Sequence, residues 1–296
     1  MIARVTQGTL TRQLLGHVRQ LERRILSAQD ALSTGKRLRA PSDDPTGAAR
    51  ANGLRAESRD LSALVKSVNF GTSVLSAQDD LLEQAESLLT RAREIASQQA
   101  GGLASTESRQ QAAAEVAEIE RGLISLANTH VGGRYVFAGL ASGAPPFTAL
   151  DDGGFDPLNP YSGPSDPFLL RTTAEGTTRL TTPGDQVFGD SIAAIDELRL
   201  TLAAGNAPTT SLDTVEQAAA GLRAERASVG GRARQLAERS TGITTAIARV
   251  TVRLGTVENA DYAAVITELT QLQAALEATL ASGQTLQTSI LDYLNL

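Results

Sequence analysis

Several groups of residues in this sequence have types and spacing that could do chemistry. Gly35-Lys36 has the form of the end of a phosphate-binding loop, where backbone amides and a lysine cradle phosphate. That loop needs a glycine five residues before Gly35, where Asp30 stands, and a strand rather than a helix leading into it. Gly189-Asp190-Ser191-Ile192 has the form of the nucleophile block of one esterase class. Its hydroxyl would need a downstream histidine as base, and no histidine follows His130. Asp151, Asp152 and Asp156 cluster among glycines, but without the spacing or the bidentate glutamate of a calcium loop. His17 and His130 are the two histidines and cysteine is absent, too few soft ligands for a zinc site. The residues therefore predict no catalytic group, no metal site and no cofactor, and an architecture rather than a reaction as the function.

Composition narrows the class further. Across 296 residues, 27 basic side chains face 33 acidic ones, net −6, which leaves no electrostatic footprint for nucleic acid. No stretch approaches the ~18 apolar residues of a membrane span, so membrane insertion is not expected. The first 18 residues carry Arg4 and Arg12 and no apolar core of signal-peptide length, which predicts no cleaved secretory signal. Without cysteine there is no disulfide.

The elements that fill the chain fall into three zones. Seven of the ten aromatics lie between Tyr135 and Phe188, and seven of the ten prolines between Pro145 and Pro183. The flanks are rich in the helix formers Ala, Leu, Gln, Glu and Arg. Leu10, Leu14, Val18, Leu21, Ile25, Ala28 and Leu32 recur by threes and fours, one apolar stripe on a helix that Gly35 closes. In Pro41-Ser42-Asp43-Asp44-Pro45, Asp44 suits an N-cap and Pro45 the first helical position. A second helix is predicted from Pro45 to about Ala100, with Leu61, Leu64, Val68, Leu75, Leu82, Ala85, Leu89 and Ala92 in heptad spacing. A third carries Val116, Ile119, Leu123 and Leu126 and is expected to stop near Gly132-Gly133. The middle is turn-rich, with β-prone runs at Arg134–Phe137 and Phe168–Thr173.

Helical pattern resumes at Thr214, which with Gln217 fits a capping box. From Val215 to Val257 a 3-4 alternation continues without a slip through Leu222, Arg226, Val229, Leu236, Ser240, Ile243, Val250 and Leu254. A last helix sets Tyr262, Val265, Leu269, Leu272, Leu276, Leu286, Ile290 and Tyr293 on one stripe. The predicted fold is mainly α. Long coiled-coil-like helices from both chain ends pack as a bundle, and a small β-rich domain is inserted in the middle. The expected divisions are 1–44, an N-terminal assembly helix; 45–135, the first half of the bundle; 136–190, the β-rich insert; 191–256, the second half; and 257–296, a C-terminal assembly helix.

Charge differs between the ends. Residues 1–55 hold ten basic and four acidic side chains, and residues 254–296 hold five acidic and no basic ones. With narrow apolar stripes that must be covered by something, this predicts that the terminal helices lie side by side.

The block Ala31-Leu32-Ser33-Thr34-Gly35-Lys36-Arg37-Leu38-Arg39-Ala40-Pro41-Ser42-Asp43-Asp44-Pro45-Thr46-Gly47-Ala48-Ala49 resembles the N-terminal signature of the bacterial flagellin family. Val257-Glu258-Asn259-Ala260-Asp261-Tyr262 and the Leu/Gln/Ala-rich tail resemble its C-terminal region, and Val229-Gly230-Gly231-Arg232 resembles its motif in the preceding helix. Gly133-Arg134-Tyr135-Val136-Phe137-Ala138-Gly139, Pro183-Gly184-Asp185-Gln186-Val187-Phe188 and Ser289-Ile290-Leu291-Asp292-Tyr293-Leu294 are similar to segments of those members that join hook to filament. Tyr161-Ser162-Gly163-Pro164 departs from the Gly-Asp turn expected there.

The resemblance implies a structural, non-enzymatic part of the flagellum at the hook–filament junction that seeds flagellin polymerisation. A filament-forming flagellin is the alternative. It implies export by the flagellar type III system without a cleaved signal, an extracellular location, and terminal segments that order on assembly. The implied partners are further copies of the chain, an adjacent hook-associated protein on the hook side, flagellin on the filament side, and an export chaperone that masks the C-terminal helix. The implied site residues are a signature turn (Gly35, Pro41, Ser42, Asp43, Asp44, Pro45), an N-terminal assembly stripe (Leu10, Leu14, Val18, Leu21, Ile25, Leu32) and a C-terminal assembly and chaperone stripe (Val265, Leu269, Leu272, Leu276, Leu286, Ile290).

Overall fold

The computed structural model describes residues 7–141, 143–148, 161–164, 166–173 and 176–294, and the side chains among them from 12 to 283. It is mainly α-helical. Among the described residues there are six helices, α1 (Gln7–Thr34), α2 (Pro45–Ala100), α3 (Thr106–Ala127), α4 (Gly184–Ala203), α5 (Thr209–Glu258) and α6 (Tyr262–Leu294). The described residues between α3 and α4 include four short strands: β1 (His130–Val131), β2 (Arg134–Tyr135), β3 (Leu169–Arg171) and β4 (Thr177–Arg179). They form two separate antiparallel hairpins, with Val131 opposite Arg134 in the first and Leu170 opposite Thr178 in the second. No described helix is long and apolar enough to cross a membrane.

The chain divides into two compact units, one of Met1–Arg59 with Ile247–Leu296 and one of Asp60–Ala246. In the second, the heptad positions of α2 form the floor of the core: Val68, Leu75, Leu82, Ala85, Leu89 and Ala92 are all buried. They meet Val116, Ile119 and Leu123 of α3 and Val215, Leu222, Val229 and Leu236 of α5 in one cluster. Each buried Val, Leu or Ile among them contributes about 1.5–3 kcal/mol by leaving water. Leu61 and Leu64 are only half-buried.

Within this unit α5 runs antiparallel to α2. Ser240 bonds Asn69 at 2.9 Å, Arg226 reaches Asp79 at 3.2 Å, Glu83 at 2.9 Å and Glu86 at 3.4 Å, and Arg93 reaches Glu216 at 3.1 Å. The two non-apolar heptad positions of α5, Arg226 and Ser240, thus find polar partners at the seam edge rather than breaking it. Gly71 of α2 leaves room for the tips of Leu170, Leu180 and Leu236; a Cβ there would sit 2.9 Å from the Leu236 methyl.

Several boundaries differ from the sequence expectation, each for a local reason. Helix α3 ends at Ala127, not near Gly132. The Asn128 side chain leaves the helix to bond both the N–H and the C=O of Phe147, each at 2.9 Å. Gly132 and Gly133, at φ 61° and 80°, instead form the β1–β2 turn. Helix α5 begins at Thr209 because the Pro208 carbonyl already accepts from Leu212 at 3.2 Å. Thr214 lies inside the helix and bonds the Ser211 carbonyl rather than capping an end. Helix α4 begins at Gly184, inside the segment expected to be β-rich to 190, while the first hairpin precedes 136. The turn residues Asp151, Asp152, Asp156, Asn159 and Pro160 lie outside the described residues.

Candidate assembly site

The first unit is built from the two chain ends. Helices α1 and α6 pack along each other. Leu14, Val18, Leu21, Ile25 and Leu32 of α1 and Val265, Leu269 and Leu276 of α6 are half-buried, and Ala28 and Leu272 are buried. Both expected stripes therefore face into the unit where their side chains are described. Leu10, Leu286 and Ile290 fall on the helices, but their side chains lie outside the described ones. Gly283 permits close approach of the helices, since a Cβ there would lie 3.0 Å from the Leu14 side chain. Among the described residues Arg24 pairs with Glu268 across the same two helices at 2.7 Å, with both side chains about half exposed. Such a pair contributes at most about 1 kcal/mol, less than the burial of Leu272 in the apolar seam.

The seam does not use all the apolar surface of these helices. Leu15 and Leu26 on α1 and Tyr262, Ile266 and Leu280 on α6 stay exposed. Tyr262, expected on the buried stripe, is instead exposed, and its hydroxyl lies over Gly35, where a Cβ would meet it at 2.7 Å.

The signature turn follows α1. Gly35 takes φ 67°, a left-handed conformation that ends the helix and that glycine adopts without steric cost. Its N–H donates to the Ala31 carbonyl at 2.9 Å. Asp43 folds the turn back by accepting the N–H groups of Arg39 at 3.2 Å and Ala40 at 2.9 Å. Asp44 caps α2, accepting the Gly47 N–H at 2.8 Å, and Pro45 takes the first helical position. Pro41 and Ser42 occupy the exposed crest of the turn.

Those backbone bonds set the acidity of the turn. The Ala40 and Arg39 N–H groups hold the Asp43 carboxyl below its ordinary value, and the Gly47 N–H with the Arg37 guanidinium does the same for Asp44. A depressed folded pKa gives stability that is fully present above the unfolded pKa of about 3.9 and lost as pH falls through the lower folded value. Asp44→Ala should therefore weaken the start of α2 near about pH 7, with the difference from the parent shrinking towards about pH 2. Unfolding curves of both proteins across that range check it; a gap independent of pH would contradict it.

The turn does not stand alone. It is bonded to the α5–α6 joint, the other segment bearing the family resemblance. Glu258 O accepts from Arg37 N at 2.7 Å, and Gly35 O accepts from Ala260 N at 2.9 Å. Lys36 and Asn259 form an antiparallel bridge. The Arg37 guanidinium donates to the Val257 carbonyl at 3.1 Å. Asp261 then caps α6, accepting the Ala263 N–H at 3.0 Å. The buried Glu258 carboxylate faces two cations, Lys36 at 3.1 Å and Arg55 at 2.7 Å. Sequence reasoning counted Glu258 among the acidic residues of the tail and within the C-terminal resemblance, without a cation as its partner. A buried ion pair separated by more than 200 positions leaves no mark in local spacing.

The other resemblance segments meet in the second unit. Phe137 and Phe188 contact edge to face at 4.9 Å between ring centroids, and Phe147 stacks edge-on against Phe188 at 6.5 Å and Tyr161 at 5.4 Å. Gly184 N donates to Phe137 O at 2.8 Å, tying the Gly133–Gly139 segment to the start of α4. Tyr161 donates to the Pro164 carbonyl at 3.1 Å; burial, then Asp185, push its phenol pKa up. Arg232 of the α5 motif bonds Glu225 at 2.5 Å and Thr182 at 3.3 Å, holding the chain as it enters α4.

The residues weighed for chemistry stand in other settings. Ser191 is buried on α4, His17 is exposed on α1, and His130 lies against the Tyr135 ring at 5.8 Å. Lys36 is committed to Glu258 and Asn259. Among the described residues no three His, Cys, Asp or Glu side chains gather to hold a metal.

Residues 7–142 match the family model of the bacterial flagellin N-terminal helical region. The chain is 29% identical over 166 residues to flagellar hook-associated protein 3 of Escherichia coli, covering 56% of this chain and 50% of that protein. It is 31% identical over 113 residues to flagellin of Listeria monocytogenes, covering 38% of this chain and 39% of that one. The chain thus matches about half, or less, of the length of these relatives. Its fold is similar to that of flagellar hook-associated protein-3 from Legionella pneumophila, with a TM-score of 0.62 at 14% identity, over 70% of this chain and 98% of that one. The matched N-terminal helical region, which contains the signature turn, leads to one statement of kinship: over residues 7–142 the chain is similar to the bacterial flagellin family.

Proposed function

We propose that this chain is a structural, non-enzymatic subunit of the bacterial flagellum that forms the junction between hook and filament and seeds flagellin polymerisation. The observation that carries this reading is the similarity to hook-associated protein 3 of E. coli. The Phe137–Phe188 contact supports it, because it joins the two segments that set the junction-type members apart from filament-forming ones. The chain reaches its place outside the cell by the flagellar type III route. Its partners are further copies of itself, the adjacent hook-associated protein and flagellin. The apolar surface left on α1 and α6, at Leu15, Leu26, Ile266 and Leu280, suits such contacts. Residues 259–296 are the segment an export chaperone would mask, an amphipathic helix in a groove.

A filament-forming flagellin is the second reading, favoured by the match to the Listeria flagellin. Self-polymerisation separates the two. The junction reading expects that the purified full chain grows no long filaments by itself; long filaments from the chain alone would hand the function to the second reading.

A further inference from the structure

Helix α4 turns one face into the second unit and leaves the other bare. Val187, Ser191, Ile195, Leu198 and Leu202 are buried. Asp190, Ala193, Glu197 and Leu200 are exposed and recur by threes and fours, so they share one line about 15 Å long. Asp190 and Glu197 make that line acidic, and the small side chain of Ala193 lets another surface come close. At its end Leu200 is 54% exposed, a large apolar side chain left to water.

A second patch of the same unit has the opposite charge. On the β3–β4 hairpin Leu170 points into the core, so Leu169, Arg171 and Arg179, the cross-strand partner of Leu169, take the outer face. Leu169 is 53% exposed. Arg179 is held by neutral groups, the Gln186 side chain at 3.2 Å and the Thr181 carbonyl at 3.3 Å, which leave its charge uncompensated. Next in the chain, Phe168 lines a small apolar hollow with the exposed Phe70, and the Arg134 guanidinium stands 5.6 Å over its ring. Both patches are exposed at once in a single chain, so neither covers the other.

Resting on the reading above that copies of this chain touch one another, we propose that they meet through these two patches. Leu200 of one copy packs against Leu169 of the next, and Asp190 and Glu197 lie beside Arg171 and Arg179. The patches are different surfaces of one chain, so the contact is head to tail and can repeat from copy to copy. Its charges set the orientation and the rate of encounter, and the two leucines leave water when it closes.

The chain has no cysteine, so introduced cysteines report the contact without background. Purified full-length L169C and L200C are mixed, and the rate of disulfide formation under copper-catalysed oxidation is compared with that of each protein alone. Both substitutions replace exposed side chains, which spares the core. At low salt the mixed pair should form at least about tenfold faster than either like pair, with the advantage shrinking as salt is added. Adding R179E to the L169C chain should remove the advantage, and adding E197K to the L200C chain should then restore most of it. Like pairs that form as fast as the mixed pair overturn the proposal, and so does a charge swap that restores nothing. Neither result touches the flagellar reading, which is tested separately by what a strain without the gene assembles.

Discussion

Phe188→Ala should lower the unfolding free energy by about 3–5 kcal/mol, the usual cost of emptying a buried aromatic site. Phe188 is fully buried on α4. Its ring sits 4.9 Å from Phe137 and 6.5 Å from Phe147, both edge to face, an arrangement worth about 0.5–1.5 kcal/mol per pair beyond the burial itself. The surrounding groups are poorly placed to collapse into the space. Phe137 is fixed by the Gly184 N–H on its carbonyl, and Phe147 by both backbone bonds to Asn128. Phe188→Leu should recover part of the loss, since it refills volume without the ring edges. Urea unfolding of the three proteins checks this. A change below about 1 kcal/mol for the alanine variant would mean that the aromatic group is not a packed part of the second unit.

The second large effect concerns assembly. Removing 262–296 should abolish filament attachment, because it strips α1 of its partner. Val265, Leu269, Leu272 and Leu276 cover the α1 stripe, and without them Leu14, Val18, Leu21 and Ile25 face water. A stripe this narrow cannot be buried by α1 alone. Truncation also removes part of the segment proposed for the chaperone, so secretion must be measured beside attachment. Leu272→Asp separates the two effects: it keeps the tail but places a carboxylate at a buried position of the seam. Both variants should be present in the culture medium yet leave hooks without filaments. A truncated or L272D chain that restored filament attachment would sink the claim that the α1–α6 seam is needed.

The periodic parts of this molecule were legible because their signal is local. The heptad run from Val215 to Val257 lies on one continuous helix, and the Gly230-Gly231 pair inside it does not interrupt that helix. Asp44 and Pro45 marked the start of α2 to the residue, since a cap and a fixed φ act within one turn. The middle was harder to read. Short β-prone runs and prolines outweighed the weaker helical pattern of Gly184–Ala203, whose start is set by the long-range bond from Gly184 to Phe137. Thr214 and Gln217 matched a capping box inside a helix whose true start depends on Pro208. The site was half visible: the stripes announce themselves by spacing, and the turn by its family resemblance. The ion pairs of Glu258 depend on Lys36 and Arg55 arriving from the opposite end of the chain, which no window of sequence contains.

The most direct measurement is on a strain from which the gene for this chain has been deleted. The junction role predicts hooks that form normally and carry no filament, with flagellin shed unpolymerised into the medium, and recovery of filaments when the gene is returned. Hooks that still bear normal filaments would contradict the account, and the absence of any flagellin protein would instead identify the chain as the filament subunit itself.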